Sequence, residues 1–229
     1  MKTTLKSILA SAVLVFYLFL QTTYADTIAN WTFESLTLGN ANTNTPPDGW
    51  LNNIAPETGV GTASGFHATT NAAFSISTGN NSSQSLSANR WSVNDYYQFA
   101  VSTIGFKDII LSYDQIGSSA GPGSFQLAYS TNGTDFATFG IAYNISSDSW
   151  TSVTTNLSSI TDLNNQFSVI FRVTDVSAVA INGGSVAWNG ASRIDNFIVT
   201  ATLVPEPSIV AVGGIIGGLT CLMVGRRKR

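Results

Sequence analysis

Apolar and polar residues alternate with a period of two through much of the chain. Ala29, Trp31 and Phe33 interleave with Asn30, Thr32 and Glu34, and Ile109, Leu111 and Tyr113 with Ile110, Ser112 and Asp114. Phe125, Leu127 and Tyr129 follow the same rule, as do Phe167, Val169, Phe171 and Val173, and a final stretch, Arg193–Leu203, aligns Phe197, Val199 and Ala201. This is the signature of strands with one face buried, because successive side chains point to opposite sides. Turn-forming clusters separate the runs: Asn80-Asn81-Ser82-Ser83, Gly117–Gly123, Asn132-Gly133, Asn182-Gly183-Gly184 and Asn189-Gly190. Asn132-Gly133 predicts a hairpin, because both residues accept positive φ. Helical periodicity is not sustained anywhere between the ends; Ile160–Asn165 has room for one turn. The pattern predicts an all-β domain of about eight to ten strands, an antiparallel two-sheet sandwich of jelly-roll type. Thr37–Val60 reads as a long polar connection after the first strand.

The two ends break the alternation. Met1–Ala25 has Lys2 and Lys6, then an apolar run from Ile8 to Leu20, then Thr23-Tyr24-Ala25 with small residues suited to cleavage between Ala25 and Asp26. That is the layout of a secretory signal peptide, which implies signal peptidase as a partner. At the other end, Ile209–Gly225 carries no charge and is followed by Arg226-Arg227-Lys228-Arg229. Seventeen residues make a helix of roughly 25 Å, at the short end for a bilayer core of about 30 Å. Basic residues stay on the cytoplasmic side, so the cargo is expected outside. The resulting division is a signal at 1–25, a sandwich domain at 26–203 and a C-terminal segment at 204–229, with a transmembrane helix at 209–225 and a basic tail at 226–229.

Charge changes meaning once the ends are set aside. Residues 26–203 hold four basic side chains (Arg90, Lys107, Arg172, Arg193) against twelve acidic ones, so 4 − 12 = −8, although the whole chain carries only −3. An acidic domain is a poor partner for nucleic acid and is compatible with calcium or with neutral polysaccharide. Cys221 is the single thiol and lies in the apolar C-terminal run, so the domain has neither a disulfide nor a thiol nucleophile.

Val204-Pro205-Glu206-Pro207-Ser208, the glycine-bearing apolar run and the basic end together resemble the PEP-CTERM sorting signal of Gram-negative bacteria. The resemblance covers only residues 204–229. It implies recognition at Pro205, Glu206 and Pro207 by an exosortase-like membrane enzyme, and export of a protein associated with exopolysaccharide, biofilm or floc. The protein is then membrane-anchored before sorting and at the cell surface or in the matrix afterwards. A plain C-terminal anchor is the other reading.

Catalytic constellations are sparse. His67 is the only histidine, no Gly-x-Ser-x-Gly elbow accompanies it, and a zinc site of cysteine and histidine cannot be assembled. Glu34 and Glu57 are the only glutamates of the domain, a thin supply for paired-carboxylate glycoside hydrolysis. His67 reads as a solvated or locally hydrogen-bonded residue, and the domain as non-catalytic. Glu34 ends the first predicted strand and Asp195 opens the last, and such strands commonly adjoin. Converging carboxylates could supply part of a calcium site. The stretches Trp31-Thr32-Phe33-Glu34 and Ile194-Asp195-Asn196-Phe197 are loosely similar to jelly-roll carbohydrate-binding and lectin-like modules, which implies a structural calcium near the chain ends. Among the aromatics, Trp50 in a polar loop and Trp188 before Asn189-Gly190 are the best exposed candidates for stacking on sugar rings. A non-catalytic exported matrix or surface protein is the first reading. A calcium-dependent carbohydrate-binding module is the second, and a secreted hydrolase the least favoured.

Overall fold

The computed structural model describes residues 25–38, 50–69 and 72–204. The signal peptide expected at 1–25, apart from Ala25 itself, lies outside the described residues, as do the Pro205-Glu206-Pro207 motif, the apolar run and the basic tail. Among those described, no helix is long and apolar enough to cross a membrane.

The alternating runs form strands that all pair antiparallel. In chain order these are β1 (Ala25–Trp31), β2 (Trp50–Ile54), β3 (Thr58–Gly59), β4 (Gly61–Phe66), β5 (Phe74–Ser77), β6 (Ser85–Asn89), β7 (Tyr96–Val101), β8 (Phe106–Gly117), β9 (Ser124–Ser130), β10 (Ala137–Asn144), β11 (Thr151–Asn156), β12 (Val169–Asp175) and β13 (Ala191–Leu203). One sheet runs β11-β8-β13-β1-β3, with β6 joining β13 and β5 joining β6; the other runs β10-β9-β12-β7-β4-β2. They face each other as a β-sandwich. Thr161–Leu163 makes a short 3₁₀ turn where one helical turn is expected.

Two expectations about the chain's course are corrected. Thr37–Val60 is not one long polar loop, because β2 and β3 occupy part of it; two-residue β3 is held by Ala29↔Gly59 and Asn30↔Thr58 pairing to β1. Phe167 does not belong to the inward face. The strand begins only at Val169, and Phe167 is 84% exposed.

The core lies between the sheets. Phe99 and Phe197 stack with ring centroids 3.5 Å apart, and Trp31 meets both edge-on. Each has no exposed surface, so each contributes about 1.5–3 kcal/mol or more of apolar burial. The Trp31 indole N–H reaches the Ile54 carbonyl at 3.1 Å, so burying the ring strands no donor. β13 needs a correction to its alternation to serve this core. Ser192 and Ile194 are buried, but so are Phe197, Val199 and Ala201, which lie in the opposite phase. A bulge between Asp195 and Ile198, with Asn196 at φ +50°, inserts the extra residue that shifts the phase.

Candidate functional site

On the six-stranded sheet the core takes Tyr97, Phe99 and Val101 from β7 and Val169, Phe171 and Val173 from β12. The alternate positions form the sheet's outer face, and register places them in transverse rows. One row is Ser64, Gln98 and Arg172, directly opposite one another across β4, β7 and β12. Its side chains are joined: Arg172 Nε donates to Gln98 Oε1 at 2.8 Å, and Gln98 Nε2 donates to Ser64 Oγ at 3.3 Å. The next row is Phe66, Tyr96 and Thr174, with the Phe66 and Tyr96 rings 5.5 Å apart. The two rows meet at Arg172. Its guanidinium carbon lies 3.9 Å from the centre of the Tyr96 ring and 3.5 Å from that of Phe136, which precedes β10.

This arrangement fixes what the arginine can do. Both guanidinium faces are covered by rings, a cation–π contact on each side, and Nε is engaged. The Nη groups have no hydrogen-bond partner among the described residues, so they remain available as donors to an incoming acceptor. Burial pushes the Tyr96 phenol up, with the Arg172 charge working against it. Burial likewise lowers Arg172, with Tyr96 opposing. The guanidinium stays charged at neutral pH, because its ordinary value lies far above that range.

Trp50 and Trp188, singled out as stacking residues, fall differently. Trp50 is the first residue of β2, not part of a loop, and pairs opposite Phe66 in the aromatic row; its side chain lies outside the described residues. Trp188 is exposed as expected, at 71%, with Arg90 against its ring at 5.7 Å. The Arg90 carbonyl is 3.4 Å from His67, the neighbour of Phe66, so Trp188 stands at the same end of the sandwich as the aromatic row. Arg172 and Gln98 were not singled out by sequence, and Tyr96 is one of several aromatics suited to stacking on sugar that rank behind Trp50 and Trp188 there. The available signal was Tyr96-Tyr97-Gln98-Phe99, whose adjacent tyrosines fall on opposite faces of one strand.

His67 is not solvated. It is wholly buried, 3.2 Å from an Asp95 carboxylate oxygen, with Phe74 edge-on and Trp91 packed against its ring. Asp95 also accepts the N–H groups of Ala68 at 2.8 Å and Ser92 at 2.6 Å. Asp175 lies close to Asp95 and His67, and one of its oxygens has no partner. Burial, aided by the Asp95 charge, pushes Asp175 up from 3.8 to about 6. The folded protein therefore holds a proton that the unfolded chain releases between about pH 4 and 6, so this group's contribution is fully present below pH 4 and is lost as pH rises through 6. Asp175→Asn is expected to be about 1 kcal/mol more stable than the parent at pH 8 after allowing for solvent screening, with the gap closing near pH 4. Thermal melts of both proteins across that range check this.

Glu34 and Asp195 do converge, on one loop. Glu34 accepts the Gln84 N–H at 2.8 Å. Asp195 accepts Asn80 N–H at 2.7 Å, the Ser82 hydroxyl at 2.8 Å and Asn196 N–H at 2.7 Å. Gly79 lies against the Asp195 carboxylate with no space for a Cβ. A cation needs free oxygen lone pairs directed at one point, whereas both Asp195 oxygens and one Glu34 oxygen face hydrogen-bond donors. The residues present fit a loop clasp and do not fit a calcium cage. Among the described residues, no group of three or more His, Cys, Asp or Glu side chains is placed to hold a metal ion.

A cleft of about 470 Å³ opens between edge strands β10 and β11, lined by Phe139, Ile141, Tyr143 and Thr151–Asn156 among others. None of its lining residues is charged. The Tyr143 hydroxyl is committed internally, accepting from Tyr113 and donating to Gln115 Oε1 at 2.6 Å.

No protein-family model matches the chain, and no curated protein matches its sequence. In structure it is similar to the CBM22-1 xylan-binding domain from Paenibacillus barcinonensis Xyn10C, at 12% identity and TM-score 0.43 over 80% of this chain and 99% of that one. It is also similar to the xylan-binding module CBM15, at 13% identity and TM-score 0.41 over 81% and 99%. A third likeness is to the K3 cleaved adhesin domain of Lys-gingipain from Porphyromonas gingivalis, at 14% identity and TM-score 0.42 over 76% and 98%.

Proposed function

We propose that this protein is an exported, non-catalytic polysaccharide-binding protein, using the outer face of its six-stranded sheet and delivered to the cell surface or matrix by its C-terminal signal. The observation that carries the reading is Arg172, clamped between Tyr96 and Phe136 and linked to Gln98 and Ser64. A sugar chain laid across the strands meets fixed donors and acceptors in one row, with the partly exposed Phe66 beside it. The domain's charge of −8 disfavours a polyanion, so neutral polysaccharide is the expected ligand class. Burial of the only histidine against Asp95 supports a role without acid–base chemistry. Export and sorting rest on the end segments, with exosortase-like and signal peptidase partners.

Affinity electrophoresis through gels containing soluble xylan, mannan or β-glucan tests the binding. Retardation by at least one is expected, with Arg172→Ala weakening it roughly 10–100-fold, the loss of a charge-assisted hydrogen bond. Unchanged thermal melting must accompany the loss. No retardation in any gel, or full retardation of Arg172→Ala, would overturn the proposal.

A further inference from the structure

Apolar side chains stand exposed where the described chain ends. Phe167 is 84% exposed and Val60 81%, and Ile104, Leu203 and Val204 are exposed as well. These come from separate segments laced together at one end of the sandwich. Thr103 N–H donates to Gln166 O at 2.9 Å, Gly105 N–H to Asn165 Oδ1 at 2.9 Å, and Val204 N–H to Gly105 O at 2.8 Å. Val60 precedes Gly61, which pairs with Val101 just before the Ser102–Gly105 turn. Nothing in the fold requires these side chains outside, since the polar Ser102 and Gln166 beside them already supply the turn's hydrogen bonds.

The chain beyond Val204 says what this end faces. Four residues, 205–208, separate Val204 from the uncharged run that begins at Ile209. Fully extended, the five steps to Ile209 span at most about 17 Å. With Ile209–Gly225 in a bilayer, this end of the domain is held at the headgroup layer, and it presents phenylalanine, isoleucine, leucine and valine there. We propose that this end docks on the lipid surface, seating Ile104 and Phe167 in the headgroup–acyl boundary and holding the Pro205-Glu206-Pro207 segment at the membrane. The inference rests on reading Ile209–Gly225 as a membrane span. Lys107, the basic residue of this end, is already paired with Asp108 at 3.5 Å, so docking is driven by apolar burial and not by anionic lipid.

The test uses the full chain in phosphatidylcholine vesicles, with Cys221→Ser and one spin-labelled cysteine at a time: Ile104→Cys, Phe167→Cys, or Asn182→Cys in the loop at the opposite end. Depth is read from collision with oxygen against a water-soluble nickel chelate. Labels at 104 and 167 are expected about 5–10 Å into the boundary, insensitive to salt, with 182 in water. A chain that floats with the vesicles while all three labels stay aqueous overturns the docking alone. A chain that fails to float overturns the span and the docking with it. Dipolar broadening between labels at high lipid-to-protein ratio would assign this end to a second copy and overturn the lipid proposal.

Discussion

Asp95→Ala is expected to lower folding stability by about 3–5 kcal/mol, the range for removing one partner of a buried charged network. The carboxylate has no exposed surface. It accepts three donors from three places in the chain: the Ala68 N–H after β4, the Ser92 N–H before β7, and the His67 ring. Alanine leaves the two backbone N–H groups without that acceptor and takes the carboxylate from His67, and each buried orphan costs about 1–3 kcal/mol. The remaining His67 nitrogen, Nε2, already lacks a partner, so the imidazole would keep only the long 3.4 Å contact of Nδ1 with the Arg90 carbonyl. Asp95→Asn keeps an acceptor oxygen and should cost clearly less. Urea titration of the three proteins checks the order, and equal stability of Asp95→Ala and the parent would mean that the cluster is hydrated and not dry.

That cluster marks the limit of what the sequence alone can tell. The sandwich itself was legible, because alternation in Ile109–Tyr113, Phe125–Tyr129 and Phe197–Ala201 is a local signal that burial enforces residue by residue. The pairing of first and last strands was legible too, and Asp26↔Ala201 and Trp31↔Phe197 realise it. Phe167 misled because a strand's alternation does not say where the strand starts. Asn132-Gly133 does turn the chain between β9 and β10, but only Gly133 takes positive φ; Asn132 instead accepts the N–H groups of Thr134 and Asp135. His67 and Asp95 are 28 positions apart, and Arg172 and Phe136 are 36 apart. No local pattern joins either pair, because the joining is done by strand order, which alternation does not encode.

Asp195→Ala is expected to cost about 2–4 kcal/mol, and to cost the same in calcium as in chelator. Asp195 sits directly across from Asp114 in the β13–β8 ladder, a like-charge pairing that destabilises a sheet unless it is compensated. The compensation is a shell of donors. Asn80 and Asn196 side-chain amides reach Asp114 at 3.0 and 2.9 Å, and the Ser152 hydroxyl donates to its other oxygen. Burial works to raise Asp114, yet these bonds hold it below the ordinary range. Asp195 goes the other way: burial pushes it up, the Asp114 charge adds to this, and bonds from Asn80, Ser82 and Asn196 oppose it. Removing the Asp195 carboxylate relieves the repulsion but strands the Asn80 and Asn196 N–H groups, leaves the Ser82 hydroxyl only the Gln84 carbonyl at 3.2 Å, and releases the loop that Gly79 lets close on it. The loss of donors dominates, since each is a charge-assisted bond of about 1.5–3 kcal/mol and the repulsion is shared with a half-exposed partner. Thermal melts of parent and variant in calcium and in chelator decide the matter. A parent stabilised by calcium, with that gain absent in Asp195→Ala, would show that the carboxylates hold an ion; parallel curves are the expected result.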